Sequence, residues 1–323
     1  MKDFAGRLAV ITGGGTGMGR EIVRQLVAEG CSIAMCDVSA VNMAETKRLC
    51  EIEKLPQGLR ISTHIADVSN EDDVKRFAAE VEKQHDTDRI HLLFNNAGIG
   101  GGGSMLVNSR EEWERTFNVC WFGVYYCTRA FLPMLIRADR GHIVNTSSVN
   151  GFWASVGANI PQTAYGAAKF AVKGFSEALQ TDLRVNAPHV KCSVAMPGHI
   201  GTSIVSNTRK VQTNNQTGVP TKAEIDQIRA RIASMGVDTA KMTDAQVLDV
   251  ADQRAKRFLE LAPTSAAQAA TIILNGVRAD RWRILVGDDA EKIDRRVRSE
   301  PERAYDVDFF HEVAAEVGWK LGN

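Results

Sequence analysis

The sequence predicts an α/β fold: a doubly wound parallel β-sheet of about seven strands flanked by helices, with a helical lid inserted late in the chain. Three observations lead there. Short apolar runs alternate with stretches of helical periodicity from Leu8 onward. The first run breaks directly into the glycine-rich turn TGGGTGMG. Polar residues recur at strand ends, where an open parallel sheet gathers its ligands.

Leu8 to Thr12 forms the first strand, and after the glycines Arg20 to Glu29 shows helical spacing in Ile22, Val23, Leu26 and Val27. Such a turn lets backbone amides approach a pyrophosphate and aims a partially positive helix N-terminus at it. Ser32 to Cys36 is a second strand ending at Asp37, about twenty residues past the glycines, where an acid accepts both hydroxyls of an adenosine ribose. That carboxylate also repels a 2′-phosphate, and neither Thr16 nor Val38 beside it is an arginine, so NAD is preferred over NADP.

The unit repeats. Asn42 to Lys54 is helical, Arg60 to Ile65 a strand, Asp72 to Gln84 a helix and Ile90 to Phe94 a strand, which makes the sheet parallel. Asp67 follows the third strand, with a helix N-cap as its other reading, and Asn95 with Asn96 follows the fourth. Glu111 to Ile136 is a long helix, Gly141 to Thr146 a strand, Ala164 to Leu183 a helix and Val190 to Ala195 a strand; Ser265 to Ala279 and Trp282 to Val286 close the fold.

Within the helix after Ala164, Tyr165 and Lys169 stand four residues apart and share a face. An ammonium beside a phenol favours the phenolate, and lowering its pKa by about three units takes roughly 4 kcal/mol. That makes Tyr165 an acid and base usable near neutrality. The same spacing also occurs on solvent-facing helices, so the surrounding pattern decides.

Composition narrows the partners. Lysine plus arginine equals aspartate plus glutamate at 39 each, so no global field draws the chain to nucleic acid or an anionic membrane. No uninterrupted apolar stretch is long enough to span a bilayer, and a cytoplasmic location is expected. The six cysteines show no metal-ligand spacing and are expected to be reduced packing residues; no metal is required.

Taken together, TGxxxGxG at Thr12 to Gly19, Asp37, Asp67 with Val68, NNAG at Asn95 to Gly98, Asn118, the paired serines Ser147 and Ser148, YxxxK at Tyr165 to Lys169, and PGxxxT at Pro197 to Thr202 occur in that order. The chain resembles the short-chain dehydrogenase/reductase family over roughly residues 5 to 205, and more loosely over residues 264 to 287. The resemblance implies a Rossmann-type fold in which Tyr165 is the general acid/base. It implies that Lys169 lowers the tyrosine's pKa and holds the nicotinamide ribose, that Ser148 positions the substrate oxygen, and that Asn118 anchors a water in a proton relay. For the cofactor it assigns Gly13, Thr16, Gly17, Met18 and Gly19 to the pyrophosphate, and Asp67 and Val68 to adenine, beside Asp37 and Val38. It assigns Asn95, Ala97 and Gly98 to the ribose, and Pro197, Ile200 and Thr202 to the carboxamide end. It also implies a homodimer or homotetramer built on the two long helices.

Two departures stand out. From Ser148 to Tyr165 is seventeen positions, against the family's dozen or so, and the extra residues lie in NGFWASVGANIPQT. Strand alternation turns Ser147 to the other face, while Ser155 remains open as a third serine. Gly100 to Gly103 is a glycine run expected to be mobile and to line the substrate entrance.

Between Thr202 and Pro263 about sixty residues replace a short flap. The stretch KVQTNNQTG is polar, whereas Ile225, Ile228, Ile232 and Met235, then Val247, Val250, Ala251, Phe258 and Leu261, have helical spacing. They read as a two-helix lid over residues 203–262, or as a subunit contact. The C-terminal extension, residues 288–323, is charged and ends in an amphipathic piece that docks on its own or another subunit; one domain, residues 1–323, is expected. Phe152, Trp153, Ile160 and the lid suggest an apolar or aromatic alcohol or ketone as substrate. The competing reading is a redox sensor that binds NAD(H) without turnover.

Overall fold

The computed structural model describes residues 1–53, 56, 58–154, 156–157, 160–213, 220–234 and 236–320. Ser155, Met235 and part of the polar stretch, residues 214–218, lie outside the described residues.

The first half runs β1 (Leu8–Thr12), α1 (Gly17–Ala28), β2 (Ser32–Asp37), α2 (Ala40–Ile52), β3 (Ile61–Ile65), α3 (Glu71–His85) and β4 (Leu92–Asn95). Then come α4 (Arg110–Phe117), a π-helical turn (Asn118–Phe122), α5 (Gly123–Arg137), β5 (Gly141–Thr146), a 3₁₀ turn (Val149–Gly151), α6 (Thr163–Asn186) and β6 (Val190–Pro197). The remainder is β7 (Ile200–Gly201), α7 (Ile204–Gln212), α8 (Lys222–Ser234), α9 (Asp244–Glu260), β8 (Thr264–Ser265), α10 (Ala266–Arg278), β9 (Arg283–Val286), α11 (Asp288–Ser299) and α12 (Val307–Val317).

Seven strands form one sheet in the order β3-β2-β1-β4-β5-β6-β9, every neighbouring pair parallel. The order reverses between β1 and β4, which opens a crevice at the carboxyl edge. The strands β1, β4 and β5 are buried along their whole length, as a parallel sheet covered on both faces requires. On one face Ile22, Val23 and Leu26 of α1 pack with Ile273 and Val277 of α10; on the other, Val74 and Phe77 of α3 pack with Phe131 of α5 and Leu179 of α6.

The long helix expected from Glu111 to Ile136 is interrupted. Its π-helical turn begins at Asn118, so one backbone register shift falls at a predicted site residue. By length and mean hydropathy the helix spanning Arg110–Arg137 is apolar enough to cross a membrane, although charged and polar residues interrupt its apolar run. Half of its apolar window is buried inside the fold.

The six cysteines are free and buried. The helices α8 and α9 share a small apolar cluster of Ile225, Ile232 and Val247 with Ile228, Val250 and Ala251 against it, which is the face their spacing foretold. The C-terminal extension contains an unforeseen helix, α11, whose charged surface hides Ala290 and Ile293. It docks on its own subunit. Phe309, Phe310 and Val313 of α12 and Trp319 enclose Trp153, whose ring is 0% exposed and whose Nε1–H donates to the Ala304 carbonyl at 2.6 Å. Trp153 therefore belongs to the tail's core, and its expected place in a substrate pocket is corrected.

Candidate active site

At the carboxyl edge of β1 the chain turns through Gly13 (φ +65°) and Gly17 (φ +54°), left-handed conformations that glycine adopts without strain. A Cβ on Gly13 would lie 2.9 Å from the Ala97 backbone, and one on Gly19 would lie 2.0 Å from the Gly13 carbonyl oxygen. The turn therefore fits only with bare backbone. Thr16 precedes α1 without capping it through its side chain, and no acidic residue sits in the first turn. The N–H groups that begin α1 thus meet no side-chain anion, the condition an incoming pyrophosphate needs. Met18 packs partly buried against the core beneath.

Asp37 ends β2 beside this turn. Its carboxylate accepts N–H bonds from Gly15 and Ser39, both at 3.0 Å. Burial pushes its carboxyl above the ordinary carboxylate range, and these N–H groups with the Arg20 charge offset that rise only in part. Val38 beside it is exposed. Further along, Asp67 is not the cap of α3; Asn70 is, accepting from the Asp72 and Asp73 N–H groups. The Asp67 carboxylate instead accepts from Ser69 N–H (3.0 Å) and pairs with Arg115 (2.7 Å), while Val68 packs under Gly123.

The NNAG segment is fastened to β1 through Thr12, which opens the TGxxxGxG pattern but is not among the expected site residues. Its hydroxyl accepts the Asn96 and Ala97 N–H groups, both at 3.0 Å. Asn95 turns its amide into the sheet, donating to Thr128 (2.9 Å) and Asn145 (2.8 Å), so its side chain binds helix to strand rather than facing the crevice. Gly98 borders Lys169: a Cβ there would lie 3.6 Å from Nζ.

Of the paired serines, Ser147 gives its hydroxyl to the Lys169 carbonyl at 2.7 Å. Ser148, 7% exposed, caps the 3₁₀ turn by accepting the Asn150 N–H and interacts with the Tyr165 phenol. Lys169 is 3% exposed, and its Nζ donates to the Thr146 carbonyl at 2.8 Å and lies 5.4 Å from the centre of the Tyr165 ring. An ammonium has three donors, and among the described residues one acceptor engages this one; two remain for a ligand's hydroxyls.

The expected lowering of the tyrosine is corrected. Burial pushes the Tyr165 phenol above its ordinary value, and Lys169 with Ser148 offsets that rise only in part. The sequence places the ammonium beside the phenol but carries no measure of how much apolar surface encloses both.

Around this centre the glycine run is hydrogen-bonded to three neighbouring elements. Gly100 N–H donates to Thr208 (2.8 Å), Gly102 N–H to Glu112 (3.0 Å), and the Gly103 carbonyl accepts the Thr163 N–H (2.9 Å) at the start of α6. The helix α7 crosses the crevice above it. Asn207 donates to Thr16 at 2.9 Å, Gln212 to Thr116 at 2.8 Å, and a Cβ on Gly17 would lie 3.2 Å from Thr202. Arg231 of α8 pairs with the same Glu112. Neither Asn207 nor Glu112 carries a sequence signal, because each matters only through what folds against it. Pro197 ends β6, and Ile200 begins the short β7–β8 pairing, which ties residues 200–201 to the chain just after α9.

A parallel sheet reversing at a glycine turn, with tyrosine, lysine and serine gathered at its carboxyl edge, defines a nucleotide-dependent oxidoreductase scaffold. The chain belongs to the short chain dehydrogenase family, whose pattern it matches over residues 7–213. It is 33% identical to the protein SadH of Mycobacterium tuberculosis over 294 residues, 91% of each chain. It is 30% identical to meso-2,3-butanediol dehydrogenase of Serratia marcescens over 250 residues, 76% of this chain and 94% of the other. Among solved structures, a short chain dehydrogenase/reductase from Burkholderia phymatum in complex with NAD superposes with a TM-score of 0.72 at 28% identity, covering 94% of this chain and 96% of that one. A metagenomic short-chain oxidoreductase in complex with NADP superposes with a TM-score of 0.53 at 30% identity over 60% of this chain and 83% of that one.

Proposed function

We propose that the chain is an NAD(H)-dependent oxidoreductase that interconverts a secondary alcohol and a ketone, with Tyr165 as general acid/base. The observation that carries this reading is the convergence of Tyr165, Ser148 and the buried Lys169 beside Gly98, at the crevice that the glycine turn and Asp37 also border. A nicotinamide dinucleotide bound there supplies or receives the hydride.

The chain's own residues do the rest. Ser148 holds the substrate oxygen against the Tyr165 hydroxyl, which delivers a proton to a developing alkoxide or removes one from an alcohol. Lys169, beside the phenol, offers its two remaining N–H donors to ribose hydroxyls. Asn118, at the π-helical turn, anchors a water that returns the proton to solvent. Asp37 accepts the adenosine ribose hydroxyls and disfavours a 2′-phosphate, which selects NAD.

The helices α7, α8 and α9 act as a lid on this site within one catalytic domain, and the chain assembles in the cytoplasm as a homodimer or homotetramer. Support for assembly comes from α6, which leaves Phe170 exposed beside the Trp121–Phe175 pair that joins it to the π-helical turn at 5.4 Å. Light scattering on the purified chain tests it, and a monomer at micromolar concentration rejects it.

The decisive assay is a panel of bulky secondary alcohols and ketones followed by NADH absorbance, with NADPH in parallel. Turnover with NADH at least tenfold above NADPH is expected. Faster turnover with NADPH removes the cofactor assignment, and no turnover on any member of the panel favours the sensor.

A further inference from the structure

Behind the Pro197–Thr202 segment lies a carboxylate that no sequence motif marks. Asp289, in the first turn of α11, is 3% exposed and accepts three N–H bonds: from His199 at 2.7 Å, from the Trp319 indole at 2.9 Å and from Ala290 at 2.9 Å. A buried carboxylate is stable only when its lone pairs are met in this way. The site is shaped around it, since a Cβ on Gly198 would lie 2.3 Å from its Oδ2 and one on Gly287 2.5 Å from its Oδ1.

His199 joins this centre to the lid. Its Nε2–H donates to the Phe258 carbonyl of α9 at 2.7 Å, and its ring lies 4.4 Å from the Phe258 ring and 6.3 Å, edge-on, from Trp319. Trp319 is itself fixed: α12 ends in left-handed Gly318 (φ +72°), and the Trp319 N–H returns to the Ala314 carbonyl at 2.9 Å. The indole therefore arrives at Asp289 with little freedom. Main-chain position at His199 sets where Ile200 and Thr202 stand.

We infer that Asp289, held by Trp319 of the C-terminal extension, is a positioning residue for the Pro197–Thr202 segment and so for the nicotinamide end of the cofactor. The inference rests on the oxidoreductase reading above. It makes the extension part of the cofactor site of its own subunit, although none of its residues needs to touch the ligand.

The test separates the two ends of the dinucleotide. NADH engages the whole site, whereas ADP-ribose engages only the half bordered by the glycine turn and Asp37. Trp319→Phe keeps an aromatic ring but loses the pyrrole and its N–H; Asp289→Asn keeps the shape and replaces one acceptor oxygen by an NH2 group. Each is expected to weaken NADH binding about tenfold, the scale of one charge-assisted hydrogen bond, and to lower kcat, with ADP-ribose affinity within twofold of wild type. Thermal melting is read alongside. NADH affinity and kcat within twofold of wild type in both variants overturn the inference. So does equal loss of NADH and ADP-ribose binding, which marks general loosening. A wild-type chain that binds no NADH overturns the oxidoreductase reading and this inference with it, so the two failures are distinguishable.

Discussion

Replacing Tyr165 by phenylalanine separates catalysis from cofactor binding, because the two depend on different contacts of neighbouring residues. The variant removes one oxygen and leaves the ring, so packing of α6 is preserved. Lys169 does not depend on the lost hydroxyl: its Nζ is held by the Thr146 carbonyl at 2.8 Å, and Ser147 braces the Lys169 carbonyl at 2.7 Å. Cofactor affinity is therefore expected within about twofold of wild type. Proton transfer has no substitute at that position, and loss of a positioned general acid/base costs about a hundred- to ten-thousand-fold in kcat, or roughly 3–5 kcal/mol of barrier. Steady-state rates on the best alcohol of the panel give kcat, and NADH fluorescence gives the binding constant. Turnover within tenfold of wild type refutes Tyr165 as the acid/base. Loss of NADH binding with turnover per bound cofactor intact refutes the separation argued from Lys169.

Three further outcomes follow from the same geometry. Asn207→Ala removes the bond from α7 to Thr16, and the KM for cofactor is expected to rise about three- to tenfold; an unchanged KM means α7 does not hold the glycine turn. Gly103→Ala sets a Cβ 2.0 Å from the Pro161 carbonyl oxygen and should cost about 1–3 kcal/mol, seen as a lower Tm, with a raised substrate KM because Gly103 also receives the α6 N-terminus. Acid should destabilise the fold through two neutral histidines: burial pushes His142 down to about 3 and His85 down to about 4. Both values lie below the ordinary histidine value of about 6.5, so their contribution is complete above that pH and is lost as pH falls toward 3. A Tm that stays flat from pH 7 to pH 4 contradicts this.

The alternation of strand and helix is legible because each strand of a covered parallel sheet must be apolar throughout, and each helix must bury one stripe. Leu8–Thr12 and Ile22 to Val27 show both patterns, and the structure places both as read. Motif spacing likewise brings Tyr165, Lys169 and Ser148 to one place. What periodicity does not carry is packing between distant segments. Trp153 reads as a pocket residue until α12 encloses it, and the glycine run gives no sign of its hydrogen bonds to Glu112, Thr163 and Thr208. The π-helical turn at Asn118 preserves the apolar stripe on either side, so the sequence shows one continuous helix there. The Tyr165 environment escapes for the same reason: spacing reports the charge nearby and is silent on the surrounding burial.

The buried thiols have a practical consequence. Burial pushes Cys31, Cys127 and Cys192 up to about 12 and Cys50 up to about 11, so at neutral pH these carry almost no reactive sulfur anion. A single cysteine engineered at an exposed position of α9 would then take up a maleimide dye against a dark background, and its emission could report any movement of that helix without first stripping the native sulfurs from the chain.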